Sequence, residues 1–221
     1  MKPSIGVIGG TGPAGSSLAV RFASLGHAVV IGSRDAGRAA AVVAEHLGRY
    51  PAELASLSGA ENAVAAECEM VVIATPWDSA EATALAHASA LSGKVVISMV
   101  NALYKQGRNI NALVLPRGSM AEHLGACLVS STVVGAFHHV PAKDLGAIED
   151  PLALDVLVCS DDPAASAKVI DLANEIPGTR GIDAGNLSAA LAIEAMTAVL
   201  INVNIRYKTR TSLQLSGIRE S

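Results

Sequence analysis

The stretch "SIGVIGGTGPAGSSLAVRFASLG", residues 4–26, decides the fold. It opens with a short β-branched run typical of a strand, and it ends with apolar residues at helical spacing. In the glycine-rich turn between them, Gly10, Gly12 and Gly15 fit the spacing G-x-G-x-x-G. A variant that uses Gly9 in place of Gly10 fits equally well. A glycine turn between a first strand and a first helix is the context that predicts a dinucleotide-binding site.

The chemistry of this turn suits a pyrophosphate. Glycine tolerates positive φ and lets a ligand approach the backbone closely, while the N-terminus of the following helix offers free N–H donors and a favourable dipole. The alternative interpretation is a merely tight turn. Because the motif opens a strand–helix–strand unit, we favour the nucleotide site.

Strand-like and helical runs alternate along the rest of the chain. Further strands are predicted at residues 27–32, 69–76, 93–100, 131–140, 154–160 and 178–185. Helices are predicted at residues 35–48, 79–91 and 186–205, and from residues 119 and 162 onward, with a loop at 101–117. The pattern predicts a Rossmann-type, doubly wound α/β fold with a mostly parallel sheet and a C-terminal α/β extension ending in a long apolar helix. We place a nucleotide-binding domain at residues 1–152 and a smaller extension, with a second ligand site and a subunit contact, at 153–221, without a clear linker.

Composition excludes several classes of function. The 221 residues are 51% hydrophobic and 16% charged, with a formal net charge of -4, and no basic stripe predicts nucleic-acid binding. The N-terminus has no leader pattern, which predicts a cytoplasmic protein. Cys68, Cys127 and Cys159 lie far apart without a CxxC, so we interpret them as free thiols and predict no metal site.

The apolar segment 186–205 needs a separate interpretation, because it is about long enough to span a bilayer. It is rich in alanine, however, and it carries Glu194, Thr197 and Asn202, of which the glutamate is costly near the centre of a membrane span. We therefore predict a soluble helix buried on several faces, one of them covered by a partner subunit in a homodimer, and no membrane contact.

The residues after the second predicted strand indicate which nucleotide binds. NAD-binding folds usually place an acid there for the ribose 2′-OH, but this chain has Ser33 and Arg34, with Arg38 four residues further on. A guanidinium pairs with a 2′-phosphate that a carboxylate would repel, so we predict NADP(H). Asp35 suits a helix N-cap better. The alternative is that both arginines are solvated surface residues.

At this point the chain resembles the NADPH-dependent reductases of coenzyme F420, a 5-deazaflavin. The resemblance runs nearly end to end, through the motifs "IGGTGPAG", "LGHAVVIGSR", "IATPW", "HHVPA", "LDVLVCSDD", "IDAGNLSAALAIEAMT" and "LSGI". It implies hydride transfer between NADPH and F420 as the small-molecule electron acceptor. Two alternatives remain open: an NADPH-dependent flavin or metal-chelate reductase, and a non-catalytic NADP(H) sensor.

The resemblance also implies site residues, carried over by position. The pyrophosphate residues are Thr11, Gly12, Pro13 and Ala14; the 2′-phosphate residues are Ser33, Arg34 and Arg38. Along the rest of NADP lie Trp77, Leu103 and Ala142. Beside the nicotinamide and deazaflavin rings lie His138, Val140 and Thr197.

Simple structural roles compete with several of these assignments. Trp77 could equally be a core residue, and Thr197 could bond its own helix backbone. His138 and His139 end a predicted strand, whose alternation sends them to opposite faces, and the resemblance assigns His138 to the site. Asp161 and Asp162 are interpreted as helix-capping residues rather than metal ligands.

Overall fold

The computed structural model describes residues 2–218 as an α/β fold. The strands are β1 (Ile5–Ile8), β2 (Val29–Ser33), β3 (Leu57–Glu61), β4 (Met70–Ile73), β5 (Val95–Ser98), β6 (Leu103–Gln106), β7 (Asn109–Ala112), β8 (Thr132–Gly135), β9 (Leu154–Val158) and β10 (Thr179–Asp183). The helices are α1 (Pro13–Ser24), α2 (Ala36–Arg49), α3 (Asn62–Ala66), α4 (Trp77–Ala86), α5 (Ala88–Leu91), α6 (Met120–Cys127), α7 (Ala142–Gly146), α8 (Pro163–Asn174) and α9 (Ala190–Tyr207), the last preceded by a 3₁₀ turn at Leu187–Ala189.

Six strands form the central sheet in the order β3-β2-β1-β4-β5-β8, and all adjacent pairs are parallel. β1 lies in the middle, so the glycine turn that follows it sits between the two halves of the sheet. The doubly wound parallel sheet predicted from the sequence is confirmed.

Both faces of the sheet are covered, because each strand sends alternate side chains to two separate cores. From β1, Ile5 and Val7 join the larger core with side chains of α1, α2 and α8, whereas Ile8 joins the second core with side chains of α4 and α6. This two-sided burial explains why the strands are continuous apolar runs in the sequence.

The predicted extension attaches to the sheet through β9. β9 and β10 form a separate parallel pair, and reciprocal N–H···O bonds of 2.8 and 3.0 Å between Gly135 and Cys159 join β9 to the end of β8. Side chains from both predicted domains share the larger core. The boundary at residues 152/153 stays a prediction, and residues 1 and 219–221 of the two predicted domains lie outside the described residues.

A buried carboxylate ties the C-terminal segment to this strand pair. Asp155 in β9 accepts hydrogen bonds from Arg180 Nε and Nη2 at 2.6 and 2.8 Å and from the Leu215 N–H at 2.5 Å. Burial would raise the pKa of Asp155, but these donors outweigh it and hold the pKa below its ordinary value. The Leu213 carbonyl also accepts the Asp155 N–H.

The helix starts predicted from local signals are confirmed. Asp35 and Asp162 cap α2 and α8 by accepting backbone N–H groups of their first turns. Ser119 and Glu122 form a complete capping box at the start of α6. Asp161 accepts the Leu187 N–H, so both aspartates of this pair have structural roles.

The predicted loop at residues 101–117 is wrong in its centre, where β6 and β7 form an antiparallel hairpin. The hairpin is largely exposed, and its backbone is held from outside. Asn202 of α9 accepts the Ile110 N–H at 2.8 Å and donates to the Ile110 carbonyl at 2.6 Å. No residue near the hairpin in sequence signals that bond.

The predicted strand at 131–140 is too long. β8 ends at Gly135, and Phe137 adopts φ 63°, which breaks the extended run and starts a turn. His138 and His139 therefore lie in a turn rather than on alternate faces of a strand.

The apolar C-terminal helix is buried along one side only within a single chain. Its buried side carries Ile193, Glu194 and Thr197, and its exposed side carries Leu191, Met196 and Val199, among other apolar residues. By length and composition alone, Leu187–Tyr207 would be apolar enough to cross a membrane. Polar side chains on its inner side, those of Glu194, Thr197 and Asn202, bond to α6, the turn after β8 and β7, which is the pattern of a helix docked on the rest of its own chain.

Arg21 of α1 is the largest fully buried side chain in the described residues, with 1% of its surface exposed. Its Nε donates to the Leu145 carbonyl, and its two Nη atoms donate to four more carbonyls, those of Asp144, Ala147, Ile148 and Asp150, at 2.7–3.2 Å. All five donors of the guanidinium are thereby used. Burial lowers the pKa of Arg21, and the nearby Asp150 opposes that effect.

We expect Arg21→Met to lower the free energy of unfolding by about 3 kcal/mol or more, because several buried carbonyls lose their donors. Arg21→Lys should recover only part of the loss, since an ammonium has three donors and no planar fork. Urea denaturation measures both. The control is Arg49→Lys on the exposed end of α2, and equal losses in the two lysine variants would contradict the role of Arg21.

Candidate functional site

The residues singled out by the sequence lie along one edge of the sheet, where the parallel strands end. In spatial order these ends belong to β2, β1, β4, β5 and β8. With strands about 4.8 Å apart, this edge is roughly 19 Å long. Ligands of open α/β sheets bind at this carboxyl edge, and its length suits an extended dinucleotide.

In the glycine turn after β1, two glycines lie too close to neighbouring atoms to carry a side chain, and a third faces open space. Gly9 has φ 69°, and a Cβ there would lie 2.4 Å from Cγ2 of Thr75. A Cβ on Gly15 would lie 2.9 Å from Cα of Gly10, so the start of α1 packs directly on the turn. A Cβ on Gly12 would meet nothing within 4 Å, which shows that this glycine faces open space.

The N-terminus of α1 is free to receive an anion. Gly12 is the N-cap and supplies no side-chain acceptor, Pro13 occupies the first turn, and that turn carries no acidic residue. The unpaired N–H groups and the helix dipole therefore point at the open space beside Gly12. This arrangement can hold a phosphate or pyrophosphate group.

Two cations stand beside this anion site at the end of β2. Arg34 and Arg38 are exposed, and within residues 2–218 neither lies within 4.0 Å of a carboxylate. The Asp35 carboxylate accepts the N–H groups of Gly37 and Arg38, so it caps α2 instead of pairing with either arginine. Ser33 is buried, and its Oγ accepts the Asp35 N–H at 3.2 Å, which leaves its hydroxyl hydrogen free to donate.

The glycine turn and both arginines line one cavity of about 440 Å³. Of the predicted nucleotide residues, it brings together Thr11, Gly12, Pro13, Ala14, Gly15, Ser33, Arg34 and Arg38. Gly10 lies beneath the turn, where its N–H donates to the carbonyls of Val7 and Gly32. The lining also includes Gly9, which belongs to the alternative glycine spacing, and residues that sequence reasoning did not assign to the site, namely Asp35, Asn62, Ala74, Thr75, Pro76, Ser79 and Thr83.

Two of these additional residues have clear chemistry. Oδ1 of Asn62 accepts the Gly9 N–H at 3.0 Å and so holds the turn in place. Oγ1 of Thr75 is buried without a hydrogen-bond partner in the described structure. A buried hydroxyl at a cavity wall is expected to find a partner, and a bound nucleotide would supply one. Thr75 sits inside the "IATPW" motif, so its position was readable from the sequence.

Trp77, Leu103 and Ala142 do not line the 440 Å³ cavity. Trp77 begins α4 and is half-buried against the second core, and Leu103 begins β6 and is also half-buried. Ala142 begins α7 and lines a different cavity, of about 660 Å³, next to Ser17 of α1. Their assignment to NADP rests on the family resemblance.

The three residues predicted for the acceptor side meet near the end of β8. The His138 carbonyl accepts hydrogen bonds from Thr197 Oγ1 at 3.2 Å and from Asn101 Nδ2 at 2.9 Å, and Val140 is buried beside this turn. Thr197 Oγ1 also lies 3.4 Å from the Ile193 carbonyl in its own helix. The hydroxyl is therefore shared between its own backbone and the turn.

The imidazole of His138 is fully enclosed, so its side chain offers no surface to a ligand in this conformation. Neither ring nitrogen has a hydrogen-bond partner among the described residues. Burial lowers the pKa of His138 to about 3, and burial likewise lowers that of His139 to about 4. Both rings are neutral at physiological pH, and His139 Nε2 accepts the Leu157 N–H at 3.4 Å.

Sequence reasoning noted Glu194 only as a charge in an apolar segment, yet it lies in the interior next to His138. Its carboxylate accepts the N–H groups of Met120 and Ala121 at 3.0 and 3.1 Å. Burial raises the pKa of Glu194 to about 7 despite these bonds. Its Oε1 is 3.8 Å from His138 Nε2, but the two do not form an ion pair, because the ring is neutral.

Within residues 2–218, one set of side chains could in principle chelate a metal, namely Glu81, His123 and Cys127. Glu81 accepts a hydrogen bond from His123 Nε2 at 2.9 Å, and this bond holds the pKa of Glu81 below its ordinary value. Burial, and then the Glu81 charge, raise the pKa of Cys127, so its thiol stays protonated. Mutual hydrogen bonds thus account for the cluster, and His123 Nδ1 lacks the second-shell acceptor that metal-bound histidines normally have.

The fold and the carboxyl-edge site define a Rossmann-type dinucleotide-binding protein, and its similarity to known proteins makes it an NADP-dependent oxidoreductase. Residues 4–102 match the model of the family described as "NADP oxidoreductase coenzyme F420-dependent". The F420-dependent NADP reductase of Methanocaldococcus jannaschii is 36% identical over 220 residues, which cover 97% of this chain and 98% of that protein. The chain belongs to this family of F420-dependent NADP reductases.

Two other proteins are similar to this chain, one in structure and one in sequence. The crystal structure of a putative F420-dependent NADP reductase from Arthrobacter sp. FB24 superposes with a TM-score of 0.82 at 26% identity, covering 97% of this chain and 100% of that one. Metalloreductase STEAP3 of Rattus norvegicus is 30% identical over 199 residues, which are 90% of this chain but 37% of the rat protein.

We expect NADPH to bind at least tenfold more tightly than NADH, because no carboxylate in the described part of the chain competes for Arg34 and Arg38. Arg34→Ala should weaken NADPH binding by about 1.5–3 kcal/mol, roughly tenfold to a hundredfold in Kd, and leave NADH binding unchanged. Calorimetric titration of both proteins with both nucleotides measures this. Lys168→Ala, which removes an exposed cation on α8 away from the glycine turn, serves as the control. Equal affinities of the wild type for the two nucleotides would contradict the prediction.

Proposed function

We propose that this protein transfers a hydride between NADPH and coenzyme F420. The observation that carries the nucleotide half is the pair of guanidinium groups, Arg34 and Arg38, which no carboxylate of residues 2–218 approaches within 4.0 Å and which lie beside an open glycine turn at the start of α1. The acceptor half is supported by the near full-length likeness to proteins named F420-dependent NADP reductases.

In this proposal NADP lies along the carboxyl edge from β2 to β8. The α1 N-terminus, Thr11 to Ala14, holds the pyrophosphate, and Gly10 and Gly15 keep the turn and the helix in close contact. Ser33, Arg34 and Arg38 hold the 2′-phosphate. Trp77, Leu103 and Ala142 contact the rest of NADP, while His138, Val140 and Thr197 border the two rings.

The residues near the rings would act by position and by exclusion of water. Bound NADPH would supply the hydride and leave as NADP⁺, while F420 would accept the hydride together with a proton from solvent. Such a transfer depends on the distance between two stacked rings rather than on a general base. The buried Val140 contributes an apolar surface, and the fixed His138 carbonyl and Thr197 hydroxyl provide polar contacts next to it.

The likeness to a rat protein named a metalloreductase favours one alternative, an NADPH-dependent flavin or metal-chelate reductase. This chain spans little more than a third of that protein, so the likeness concerns one part of it. An NADP(H) sensor without catalysis is the remaining alternative, because a glycine turn and a phosphate site establish binding only.

One experiment separates the three functions. Purified protein is mixed with NADPH under anaerobic conditions and given F420, FMN or ferric citrate in turn, and nucleotide oxidation is followed by absorbance. We expect turnover with F420 and at most slow turnover with the other two. Turnover with FMN or ferric citrate alone would favour the alternative reductase, and NADPH binding without any oxidation would favour the sensor.

We further propose that the protein is a cytoplasmic homodimer in which the exposed side of α9 meets its partner. Leu191, Met196 and Val199 give this side an apolar surface with 38–54% of each residue exposed. An apolar strip of this kind is stabilised when a second protein surface covers it. The cytoplasmic location is supported by the three free cysteines, Cys68, Cys127 and Cys159.

We expect Val199→Glu to convert the dimer to a monomer, because it places a charge within the apolar contact. Sedimentation equilibrium at micromolar concentration measures the mass. Val129→Glu is the matched control, since Val129 is 85% exposed but lies outside α9. A monomeric wild type would overturn the dimer, and a dimeric Val199→Glu variant would remove α9 from the interface.

A further inference from the structure

Glu194 is an acidic residue in the middle of an apolar helix, and stabilisation of that helix alone does not explain its presence. It is 5% exposed, and its two oxygens accept the N–H groups of the first two residues of α6, Met120 and Ala121. The Ala102 N–H also acts on the carboxylate, in the direction that lowers its pKa. These donors lie more than 70 residues away from Glu194 in sequence.

Helix α6 already has its own cap. Ser119 Oγ accepts the Glu122 N–H, and the Glu122 carboxylate accepts the Ser119 N–H, which completes a capping box. Glu194 is thus a second, distant anion at the same helix N-terminus. Its ionised form is stabilised there by the helix dipole, while burial opposes ionisation.

The position of Glu194 links this helix end to the acceptor residues. Thr197 follows it by three residues and lies on the same face of α9, where its hydroxyl donates to the His138 carbonyl. One buried face of α9 therefore carries two polar contacts, one to α6 and one to the turn after β8. The carboxylate sets how α9 lies on α6, and so where the Thr197 hydroxyl is placed.

The ring of His138 offers Glu194 a second partner. Nε2 of His138 is 3.8 Å from Glu194 Oε1 and lacks a hydrogen-bond partner among the described residues. Because this ring is neutral, Nε2 can accept a hydrogen bond from a protonated carboxyl group but gives no ion pair to an ionised one. A shift of about 1 Å would close that bond.

We infer that Glu194 is a positioning residue for hydride transfer. In its ionised form it clamps α9 to the start of α6 and holds Thr197 and the His138 carbonyl in place at the acceptor ring. In its protonated form it gives up part of this clamp for a hydrogen bond to the His138 ring, and the acceptor side loosens. This inference rests on the proposed function, in which Thr197 and His138 border the acceptor.

Glu194 is the group in this cluster that titrates near neutral pH. The other titratable groups facing it are Glu122 on α6, His138 in the turn after β8 and Cys159 just after β9. The charge of Glu122 adds to the rise in the pKa of Glu194, to about 7, that burial produces. Burial raises the pKa of Cys159 to about 12 and lowers that of His138 to about 3, so neither changes charge in the neutral range.

The test compares the wild type with Glu194→Gln across pH. The glutamine side chain keeps the size and one acceptor but cannot ionise, so the variant should behave like the protonated wild type at every pH. We expect the ratio of kcat for F420 reduction, wild type over variant, to rise from near one at about pH 5.5 to about tenfold at about pH 8.5, because small misplacements of reacting groups slow transfer strongly. The pH dependence caused by the proton that the reaction itself consumes is the same in both proteins and cancels in this ratio. The KM for NADPH should stay unchanged.

Glu122→Gln is the matched control, because it makes the same chemical change at the same helix end. It should keep the pH-dependent step, displaced to lower pH, since a neighbouring negative charge is removed. The role of Glu194 would be overturned if the kcat ratio of wild type to Glu194→Gln stays flat across pH, or if both variants show the same response. Either result would leave the proposed function intact. Absence of F420 turnover by the wild type would overturn the proposed function and this role together.

A stability measurement checks the ionisation without any substrate. The folded protein keeps its Glu194 proton up to about pH 7, whereas an unfolded glutamate loses it near 4.5, so the wild type should lose stability relative to Glu194→Gln as pH rises through that window. If the variant does not fold, infrared spectroscopy of the wild type takes the place of the stability comparison, because a protonated buried carboxyl group gives its own carbonyl band. If no carbonyl band is lost as the pH rises through neutrality, Glu194 is not a protonated buried acid and the assignment is rejected.

Discussion

Five backbone carbonyls between residues 144 and 150 accept hydrogen bonds from one buried guanidinium, that of Arg21. This segment begins in α7 and leads into β9, so its placement fixes where the second part of the chain starts. Without the guanidinium the Leu145, Ile148 and Asp150 carbonyls would lose this donor, whereas those of Asp144 and Ala147 would keep the backbone N–H groups of Ala147 and Asp150. The contact therefore helps to position β9, which the reciprocal bonds between Gly135 and Cys159 join to β8.

The apolar helix α9 is located by a few polar bonds rather than by its hydrophobic surface. Hydrophobic burial is non-directional and would tolerate sliding or rotation of an alanine-rich helix. Glu194, Thr197 and Asn202 each bond to a different element, namely α6, the turn after β8, and β7. Three directional ties on one helix define both its rotation and its axial position, which is the accuracy that a ring-binding surface requires.

Much of the fold could be predicted because its signals are local. The glycine turn, the aspartate caps and the capping box each occupy a few consecutive residues, and the alternation of strands and helices implies the parallel sheet. The hairpin β6–β7 could not be predicted, because Asn202, 92 residues away from Ile110, satisfies its backbone. The end of β8 was missed for a related reason: the apolar run continues, but Phe137 turns to pack edge-on against Phe22, with ring centroids 5.8 Å apart.

The candidate site likewise has one half that the sequence could predict from local signals and one half that it could not. Two short motifs predicted its nucleotide half, since a glycine turn and an arginine at a strand end carry their chemistry in adjacent residues. The acceptor half came from resemblance alone. Thr197 on an apolar helix and an enclosed His138 have no local pattern that distinguishes a site from a core, and their contact joins positions 59 residues apart.

The carboxylate of Asp155 has a consequence for how the protein is made. Two of its hydrogen bonds come from Arg180, 25 residues later, and another comes from the Leu215 N–H, 60 residues later. At about 5–20 residues per second, a ribosome takes several seconds to deliver that last donor. The sheet from β1 to β8 can therefore assemble on the emerging chain, while β9 waits with an incompletely paired charge. Vectorial synthesis thus separates the nucleotide-binding half, completed early, from a strand pair that closes only when residues 213–215 have left the exit tunnel.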